Sequence, residues 1–260
     1  MTDSEPVLVQ ERRDNVLVLR LNRPEARNAL NGALIAAFGA AIVEAETDPG
    51  IRAVVVTGTG DRAFCAGMDL RDFAADGPQT SGGDGGLSTF MRFLQGGVSV
   101  PLVGAANATA VAGGFEVLLG CDVVVAAESA RFGLPEVKRA LFPAGGGAML
   151  AARIPMAVAL ELTLTGDPIT AQRAYELGLV NQVVPADRVL DAAVDLALRI
   201  ARNGPLALEA TKELVRMSAT DVTGGWARQA EWYERIFSSE DAREGATAFV
   251  EKRDPVWKGR

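Results

Sequence analysis

Short apolar runs alternate with helical patterns over the first half of the chain. Residues 51–57 and 101–106 are apolar at almost every position, which is typical of strands buried on both faces of a sheet. Asn31 precedes apolar residues at helical spacing, which predicts the N-cap of a helix that runs to about Thr47. The pattern indicates an α/β fold, with further strands at 15–21, 122–127 and 130–132 and further helices at about 87–95 and 113–120.

The pattern changes after about Pro143 and becomes mostly helical. No fixed-period repeat and no linker typical of two independent domains is present in the sequence. We therefore expect one fold unit, with a core over 1–195 and a helical region over 196–260. The predicted helices lie near 145–153, 155–164, 170–177, 187–202, 205–217, 222–237 and 240–251, with one short strand at 180–184.

Composition narrows the classes of function. The 260 residues carry a formal net charge of −7, which argues against nucleic acid as a partner because phosphate binding favours a basic face. The chain has no histidine, so histidine-containing triads and imidazole metal sites are excluded. Cys65 and Cys121 form no CxxC pair and are predicted to be buried, reduced thiols. The polar first ten residues and the lack of a long apolar run predict a cytoplasmic protein without a membrane span.

One glycine motif resembles a dinucleotide fingerprint but lacks the helix that the fingerprint requires. Residues 58–63 follow a strand with the pattern GxGxxA. In a dinucleotide site a helix begins within these glycines and points its first N–H groups at the pyrophosphate. The following residues, AFCAGMDL, have no helical period, so a turn at the end of a strand is favoured. Small residues around Gly67 could also expose the Met68 N–H to a ligand, although a tight turn without a ligand is favoured on these residues alone.

A second glycine pair, Gly113 and Gly114, is predicted to open an apolar helix. The first N–H groups of a helix have no partner within it, so a ligand oxygen could approach them. Close packing of the helix on a strand would explain the glycines equally well. Glu116 lies in this helix among apolar residues, where a carboxylate is normally paired, protonated or functional; a structural salt bridge is the alternative. Glu136, after Pro135, is by itself an ordinary exposed loop residue.

Taken together, these segments resemble the crotonase (enoyl-CoA hydratase/isomerase) superfamily. The similarity follows the order of the family over nearly the whole chain. The matching stretches are Asn22-Arg23-Pro24 with Asn28-Ala29-Leu30, then AFCAGMDL, AGGFEVLLGCD, FGLPEVK, FPAGGG, LTGDPITAQRAYELGLVNQVV and SEDAREGATAFVEKRDP.

The resemblance implies a spiral of ββα units with a C-terminal helical region for trimer contacts, and self-association to a trimer or a hexamer. It implies an acyl-CoA thioester as substrate, with CoA as part of that substrate and no separate cofactor or metal. It also implies an oxyanion hole formed by the N–H groups of Met68 and Gly113, and a catalytic pair formed by Glu116 and Glu136. Further substrate contacts are implied at Arg27, Ala66, Asp69, Leu70, Gly114 and Lys252, a basic residue near the end of the chain of the kind that in this family often helps to hold CoA, sometimes across a subunit boundary.

Hydration of a 2-enoyl-CoA is the reaction that these features favour. Dehydration of a hydroxyacyl-CoA, as in the carnitinyl-CoA dehydratase branch, or double-bond isomerisation are alternatives on the same fold. A non-catalytic acyl-CoA binder is an alternative of another class, and it would not need two glutamates. Family hydratases usually carry Gly, Thr and Arg near positions 140, 148 and 150, where this chain has Ala140, Ala148 and Leu150. These departures leave the glutamate pair intact, but they do not indicate which acyl group the substrate carries. The variable segment 72–86, which is expected to meet the acyl group, does not indicate it either.

Overall fold

A six-stranded sheet forms the centre of the computed structural model, which describes residues 5–76 and 85–260. Its strand order is β1-β2-β3-β4-β6-β9, with β1 antiparallel to β2 and all other neighbours parallel. The strands are β1 (Leu8–Arg13), β2 (Val16–Leu21), β3 (Ala53–Gly58), β4 (Leu102–Ala106), β6 (Val123–Ala127) and β9 (Gln182–Val184).

A second sheet of three short strands lies beyond the ends of the first. It has the order β5-β7-β8, formed by β5 (Ala110–Val111), β7 (Arg131–Gly133) and β8 (Ile169–Thr170). Because β5 follows β4 directly and β7 follows β6, this small sheet continues the chain at the carboxyl ends of the parallel strands.

Helices cover the large sheet and bury its apolar strands. They are α1 (Gly32–Thr47), α2 (Leu70–Asp76), α3 (Gly85–Leu94), α4 (Gly113–Gly120), α5 (Met156–Thr165), α6 (Ala171–Glu176) and α7 (Val189–Ala201). Helix α7 packs across β2, β3, β4 and β6, while α1 packs on α3 and β2. Phe38 of α1 meets Phe90 and Phe93 of α3 at ring-centroid distances of 5.5 and 4.8 Å, which joins the two helices through one aromatic cluster.

Three helices end the chain, and the first of them is joined to the sheet by ion pairs. They are α8 (Pro205–Ser218), α9 (Val222–Phe237) and α10 (Glu240–Glu251). Lys212 and Arg216 of α8 lie 2.8 and 2.7 Å from the carboxylate of Asp122, at the start of β6. Asp122 also accepts a hydrogen bond from the Leu102 N–H at 2.8 Å, so one carboxylate joins α8 to the amino ends of β4 and β6.

The last residues of the chain pack at the same amino ends. Asp241 accepts hydrogen bonds from the N–H groups of Lys258 and Gly259, and the Arg52 guanidinium donates to the carbonyl oxygen of Trp257. A cavity of about 270 Å³ lies between this tail and the amino ends of β3 and β4. It is at the opposite end of the sheet from the residues singled out in the sequence.

Several sequence expectations need correction. Strand β1 was not predicted, and α2 begins at Leu70 where a variable loop was expected from position 72. The rest of that expected loop, 77–84, lies outside the described residues. The helix expected at 145–153 is a 3-10 helix, Gly147–Ala152. No helix in the described part of the chain is long and apolar enough to cross a membrane.

Candidate active site

Four chain segments meet at the carboxyl edge of the parallel sheet. They follow β2, β3, β4 and β6, and they cover residues 22–30, 59–69, 107–112 and 128–136. Because parallel strands all point the same way, their following loops gather at one edge, where α/β proteins bind ligands. Every site residue expected from the sequence belongs to one of these segments, except Leu70, Gly113, Gly114, Glu116 and Lys252. Leu70 directly follows the second segment, and Gly113, Gly114 and Glu116 lie in the first turn of the helix that follows β5.

Two buried or half-buried asparagines hold the turn after β3. The side-chain amide of Asn28, which is completely buried, donates to the carbonyl oxygens of Thr59 and Ala63 at 3.0 and 2.9 Å. Asn107 accepts from the Gly58 N–H at 3.1 Å and donates to the Gly60 carbonyl oxygen at 2.7 Å. The turn therefore leads into an extended segment and not into a helix, as the sequence predicts. No local sequence pattern indicates this role of Asn107.

The segments that follow β3 and β4 then pair with each other. The Phe64 N–H donates to the Thr109 carbonyl oxygen at 2.9 Å, and the Val111 N–H donates to the Cys65 carbonyl oxygen at 3.2 Å. This pairing places Cys65 opposite Ala110. Met68 and Gly113 each follow this pair by three residues, so the pairing brings the two residues to the same part of the site.

The N–H groups of Met68 and Gly113 lie close together, and neither has a partner in the part of the chain that the structure describes. Leu30 bonds to the residues on either side of Met68, through the Gly67 carbonyl oxygen at 2.8 Å and the Asp69 N–H at 2.9 Å. Gly113 is the first residue of α4, where an N–H has no partner within the helix. Within residues 5–76 and 85–260, neither N–H donates to a protein acceptor. A β-carbon built on Gly113 would lie 3.6 Å from the Met68 nitrogen.

The two glycines that open α4 have different requirements. A β-carbon on Gly114 would lie 2.2 Å from the Cys65 carbonyl oxygen, so only glycine lets the helix approach that segment. A β-carbon on Gly113 would lie no closer than 3.3 Å to another atom, the end of the Leu30 side chain. Close packing therefore explains Gly114, whereas a β-carbon on Gly113 would make one tight contact, with the flexible end of the Leu30 side chain.

Ala112, just before the helix, has an unusual backbone conformation. Its φ is 51° and its ψ is −134°, a region that side chains avoid and glycine adopts freely. The Ala112 N–H donates to the Gly133 carbonyl oxygen at 2.9 Å, and its carbonyl oxygen accepts from the Phe115 and Glu116 N–H groups. A residue held this way costs on the order of 1–3 kcal/mol, and such strain clusters at functional sites.

Glu116 is buried and held by backbone donors. One carboxylate oxygen, Oε1, accepts from the N–H groups of Gly145 and Gly147 at 2.7 and 2.9 Å. A β-carbon on Gly145 would lie 2.7 Å from the other oxygen, Oε2, so the glycine leaves room for it. Burial raises the pKa of the Glu116 carboxyl above its ordinary value, while the two N–H bonds act in the opposite direction. The salt bridge considered for this residue is absent among the described residues.

Glu136 is also buried, which corrects the expectation of an exposed loop residue. It lies in a 3-10 helix, Pro135–Arg139, and is 9% exposed. Its Oε2 atom is enclosed and has no hydrogen-bond partner in the part of the chain that the structure describes. Burial raises the pKa of the Glu136 carboxyl, and the negative charge of Glu116 raises it further. The two carboxyl groups are therefore close enough to affect each other's ionisation.

The remaining expected contacts divide into three groups. Arg27 and Ala66 are neighbours, because the Ala66 N–H donates to the Arg27 carbonyl oxygen at 3.0 Å. Asp69 forms an ion pair with Arg23 at 2.9 Å, so its carboxylate is engaged within the protein, while Leu70 is exposed at the start of α2. Lys252 ends α10 and, among the described residues, makes no hydrogen bond or ion pair with the site.

The cysteine prediction is confirmed. Both thiols are buried and free, and burial raises the pKa of Cys65 and of Cys121 to about 12. Neither thiol is therefore a nucleophile near neutral pH. Within the described ranges, no three acidic or cysteine side chains gather in a way that could hold a metal ion.

Comparisons with known proteins identify the family. The profile of the enoyl-CoA hydratase/isomerase family matches residues 11–260. The chain belongs to this family. Over 255 residues it is 40% identical to a 2,3-dehydroadipyl-CoA hydratase of Escherichia coli (strain K12), covering 97% of this chain and 99% of the relative. It is 37% identical to a carnitinyl-CoA dehydratase of Proteus mirabilis, covering 95% and 97%.

Solved structures of the enoyl-CoA hydratase/isomerase family agree with the fold. An enoyl-CoA hydratase from Mycobacterium tuberculosis H37Rv has a TM-score of 0.90 and 42% identity, covering 98% of this chain and 100% of that one. The predictions of the crotonase superfamily, of its fold class and of an enoyl-CoA hydratase-like enzyme are confirmed.

One departure from the family pattern has a visible conformational effect. Ala140, where hydratases of the enoyl-CoA hydratase/isomerase family usually have glycine, has a φ of 55°. Its N–H closes the 3-10 helix that carries Glu136, by bonding to the Val137 carbonyl oxygen at 3.3 Å. The left-handed turn that glycine adopts without strain is therefore kept with alanine.

The raised pKa of Glu136 leads to a prediction about stability. A carboxyl whose pKa is higher in the folded than in the unfolded state stabilises the fold below its ordinary pKa, and that stability is lost as pH rises through the folded value. We expect Glu136→Gln to increase the free energy of unfolding at pH 7 by about 1 kcal/mol or more. The unfolded carboxyl is ionised at this pH, so folding must either bury its charge or protonate it, and glutamine avoids both costs. Denaturant unfolding at pH 7 and pH 4 checks this: the difference from wild type should be present at pH 7 and shrink at pH 4. Equal stabilities at pH 7 would contradict it.

Proposed function

We propose that the protein hydrates a 2-enoyl-CoA thioester to a 3-hydroxyacyl-CoA. The observation that carries this proposal is the combination of two free, adjacent N–H groups with two buried carboxyl groups of raised pKa at one edge of the sheet. Paired, desolvated titratable groups of this kind are typical of catalytic sites. The named relatives include hydratases and a dehydratase of CoA thioesters.

The two N–H groups serve as the oxyanion hole. Addition of water across the double bond passes through a state with negative charge on the thioester oxygen. Donation from Met68 and Gly113 to that oxygen stabilises this charge more than it stabilises the neutral substrate, and that difference lowers the barrier. The oxyanion hole needs no metal or other cofactor, and CoA enters as part of the substrate.

The two carboxyl groups handle the water and the proton. Glu116 is anchored through Oε1, so its Oε2 is the atom that takes a proton from the attacking water. The water oxygen forms a bond to the β-carbon while the double bond breaks and its electrons move to the α-carbon and thioester. Glu136 in its protonated form then gives a proton to the α-carbon. Because the two groups interact, their pKa values belong to the pair.

Two alternatives on the same fold make different products. A dehydratase runs the same steps in reverse on a hydroxyacyl-CoA, and an isomerase moves a proton between two carbons with one carboxylate. A non-catalytic binder would have no need for two buried carboxylates, whose desolvation is costly. The proposal does not specify the acyl group of the substrate, because part of the variable segment expected to contact that group lies outside the described residues.

An assay with crotonyl-CoA tests the proposal. We expect loss of the absorbance of the conjugated thioester, with formation of 3-hydroxybutyryl-CoA and, in D2O, one deuterium on the α-carbon. A 3-enoyl-CoA offered separately distinguishes an isomerase, since only that activity would generate the conjugated absorbance from it. Binding of crotonyl-CoA without any turnover would reject the enzyme proposal.

We also propose a trimer or hexamer. Trp226, Tyr233 and Phe237 of α9 are each more than 60% exposed, and Phe249 of α10 is 85% exposed. Exposed aromatic surface of this extent is typical of a protein interface. Trp232 of the same helix does not belong to this surface, because it is buried and donates to Glu213 at 2.9 Å. Light scattering at micromolar concentration should give the mass of three or six chains, and the mass of one chain would contradict the proposal.

A further inference from the structure

The two proposed donors lie on different chain segments, so something must fix the distance between them. The hydrogen bonds between the segments end at Val111 and Cys65, before either donor is reached. Beyond that point the segments are in contact through Gly67, which precedes Met68, and Ala112, which precedes Gly113.

The methyl group of Ala112 fills the space beside Gly67. A β-carbon built on Gly67 would lie 2.7 Å from the Ala112 β-carbon and 3.1 Å from the Gly113 nitrogen. Gly67 also has a φ of 91°, which favours glycine. Gly67, which precedes the donor Met68, therefore has no side chain. Ala112, which precedes the donor Gly113, supplies the methyl group that packs against Gly67.

Glycine would be the expected residue at position 112 if only the turn mattered. The conformation there, with φ 51° and ψ −134°, suits glycine, yet the chain has alanine. Both backbone groups of Ala112 are bonded, so the turn is held from β7 on one side and from α4 on the other. Alanine at this position therefore retains the backbone strain, and it also provides a methyl group that contacts the opposite segment.

We propose that Ala112 is a positioning residue that sets the spacing of the Met68 and Gly113 N–H groups. This inference rests on the oxyanion hole of the proposed function. An oxyanion hole is effective when its donors are fixed before the charge develops. Without the methyl group the two segments can shift, and the donors no longer meet the oxygen together. The loss falls on the transition state more than on binding of the neutral thioester.

Ala112→Gly tests this inference. Glycine adopts the same turn without strain, so the unfolding temperature should be unchanged or higher. We expect kcat to fall about tenfold or more, because small misplacements of catalytic groups have effects of this size, with KM changed by less than about twofold. A residue that only supports the fold would move activity and stability in the same direction. A lower unfolding temperature for Ala112→Gly would overturn the inference.

A matched control is Asp14→Gly in the β1–β2 hairpin. Asp14 also has a positive φ, 52°, and lies at the amino end of β2, away from the site. Asp14→Gly relieves the same kind of backbone strain as Ala112→Gly but contacts neither donor. The kcat of this variant should therefore stay at the wild-type value. A similar loss in both variants would overturn the inference.

A spectroscopic measurement separates this inference from the proposed reaction. The absorption of a bound, conjugated enoyl thioester moves to longer wavelength when its carbonyl is polarised by donors, and no turnover is needed. We expect this shift with the wild-type protein and a smaller shift with Ala112→Gly. If the wild type shows the shift but no hydration, the proposed function fails while the inference is still tested. Equal shifts in wild type and variant, or no shift in the wild type, would overturn the inference.

Discussion

Replacement of either buried glutamate by glutamine should lower kcat by about two to four orders of magnitude, the usual contribution of a positioned acid or base. Glu116→Gln keeps an oxygen for the Gly145 and Gly147 N–H groups, which fix the amide orientation. The variant therefore removes the proton acceptor and keeps the shape. Acyl-CoA affinity should change little, because backbone donors hold the thioester. Steady-state kinetics with crotonyl-CoA, together with a direct binding measurement, check both expectations.

The double variant and a surface control sharpen this test. Glu116→Gln with Glu136→Gln should lose far less than the product of the two single losses, since both groups act on one water. Glu44→Gln removes a charge from an exposed position on α1 and should keep wild-type activity. An isomerase that uses one carboxylate would depend strongly on one glutamate and weakly on the other. Full hydratase activity in either single variant would reject the two-glutamate mechanism.

Gly113→Pro should lower kcat by about two or more orders of magnitude, because it deletes one donor of the oxyanion hole, worth roughly 3 kcal/mol in the transition state. Proline is well accepted at the first position of a helix, where its missing N–H costs no helical bond. The kcat for crotonyl-CoA is the measurement, and circular dichroism confirms that the variant is folded.

Gly113→Ala is the matched control for that variant. It keeps the N–H and adds a β-carbon 3.3 Å from the end of the Leu30 side chain, a tight contact that this flexible end can relieve by a small shift. Its kcat should stay within about tenfold of wild type, because the donor itself is retained. A folded Gly113→Pro protein with near-native turnover would remove Gly113 from the mechanism.

The sequence predicts the elements whose signals are local. Strands β3 and β4 are buried along their whole length and almost entirely apolar, and they were predicted within two residues at each end. Strand β1 was missed because its sequence, LVQERR, is largely polar. It is an edge strand, and its charged side chains are paired, as Arg13 is with Glu11. Its strand conformation comes from pairing with β2, which no local pattern shows.

In the site, too, only the residues with a local sequence signal could be predicted. Glu116 stands out because it interrupts an apolar helix, and that signal is local. Its two hydrogen-bond donors lie 29 and 31 residues further along the chain, so its anchoring depends on the tertiary structure. Glu136 has no local signal of burial, and its enclosure comes from packing between distant segments. The conformation of Ala112 is equally hidden, because a residue with positive φ is expected to be glycine.

The two enclosed thiols have a practical consequence for labelling. Cys65 and Cys121 are the only cysteines of the chain, and with pKa values of about 12 they form almost no thiolate near neutral pH. A cysteine introduced at an exposed position outside the proposed subunit contacts, such as Glu44 on α1, would be the one thiol that reacts readily with maleimide dyes. The natural sequence therefore serves as an unreactive background for attaching a single fluorophore, without prior removal of its own cysteines.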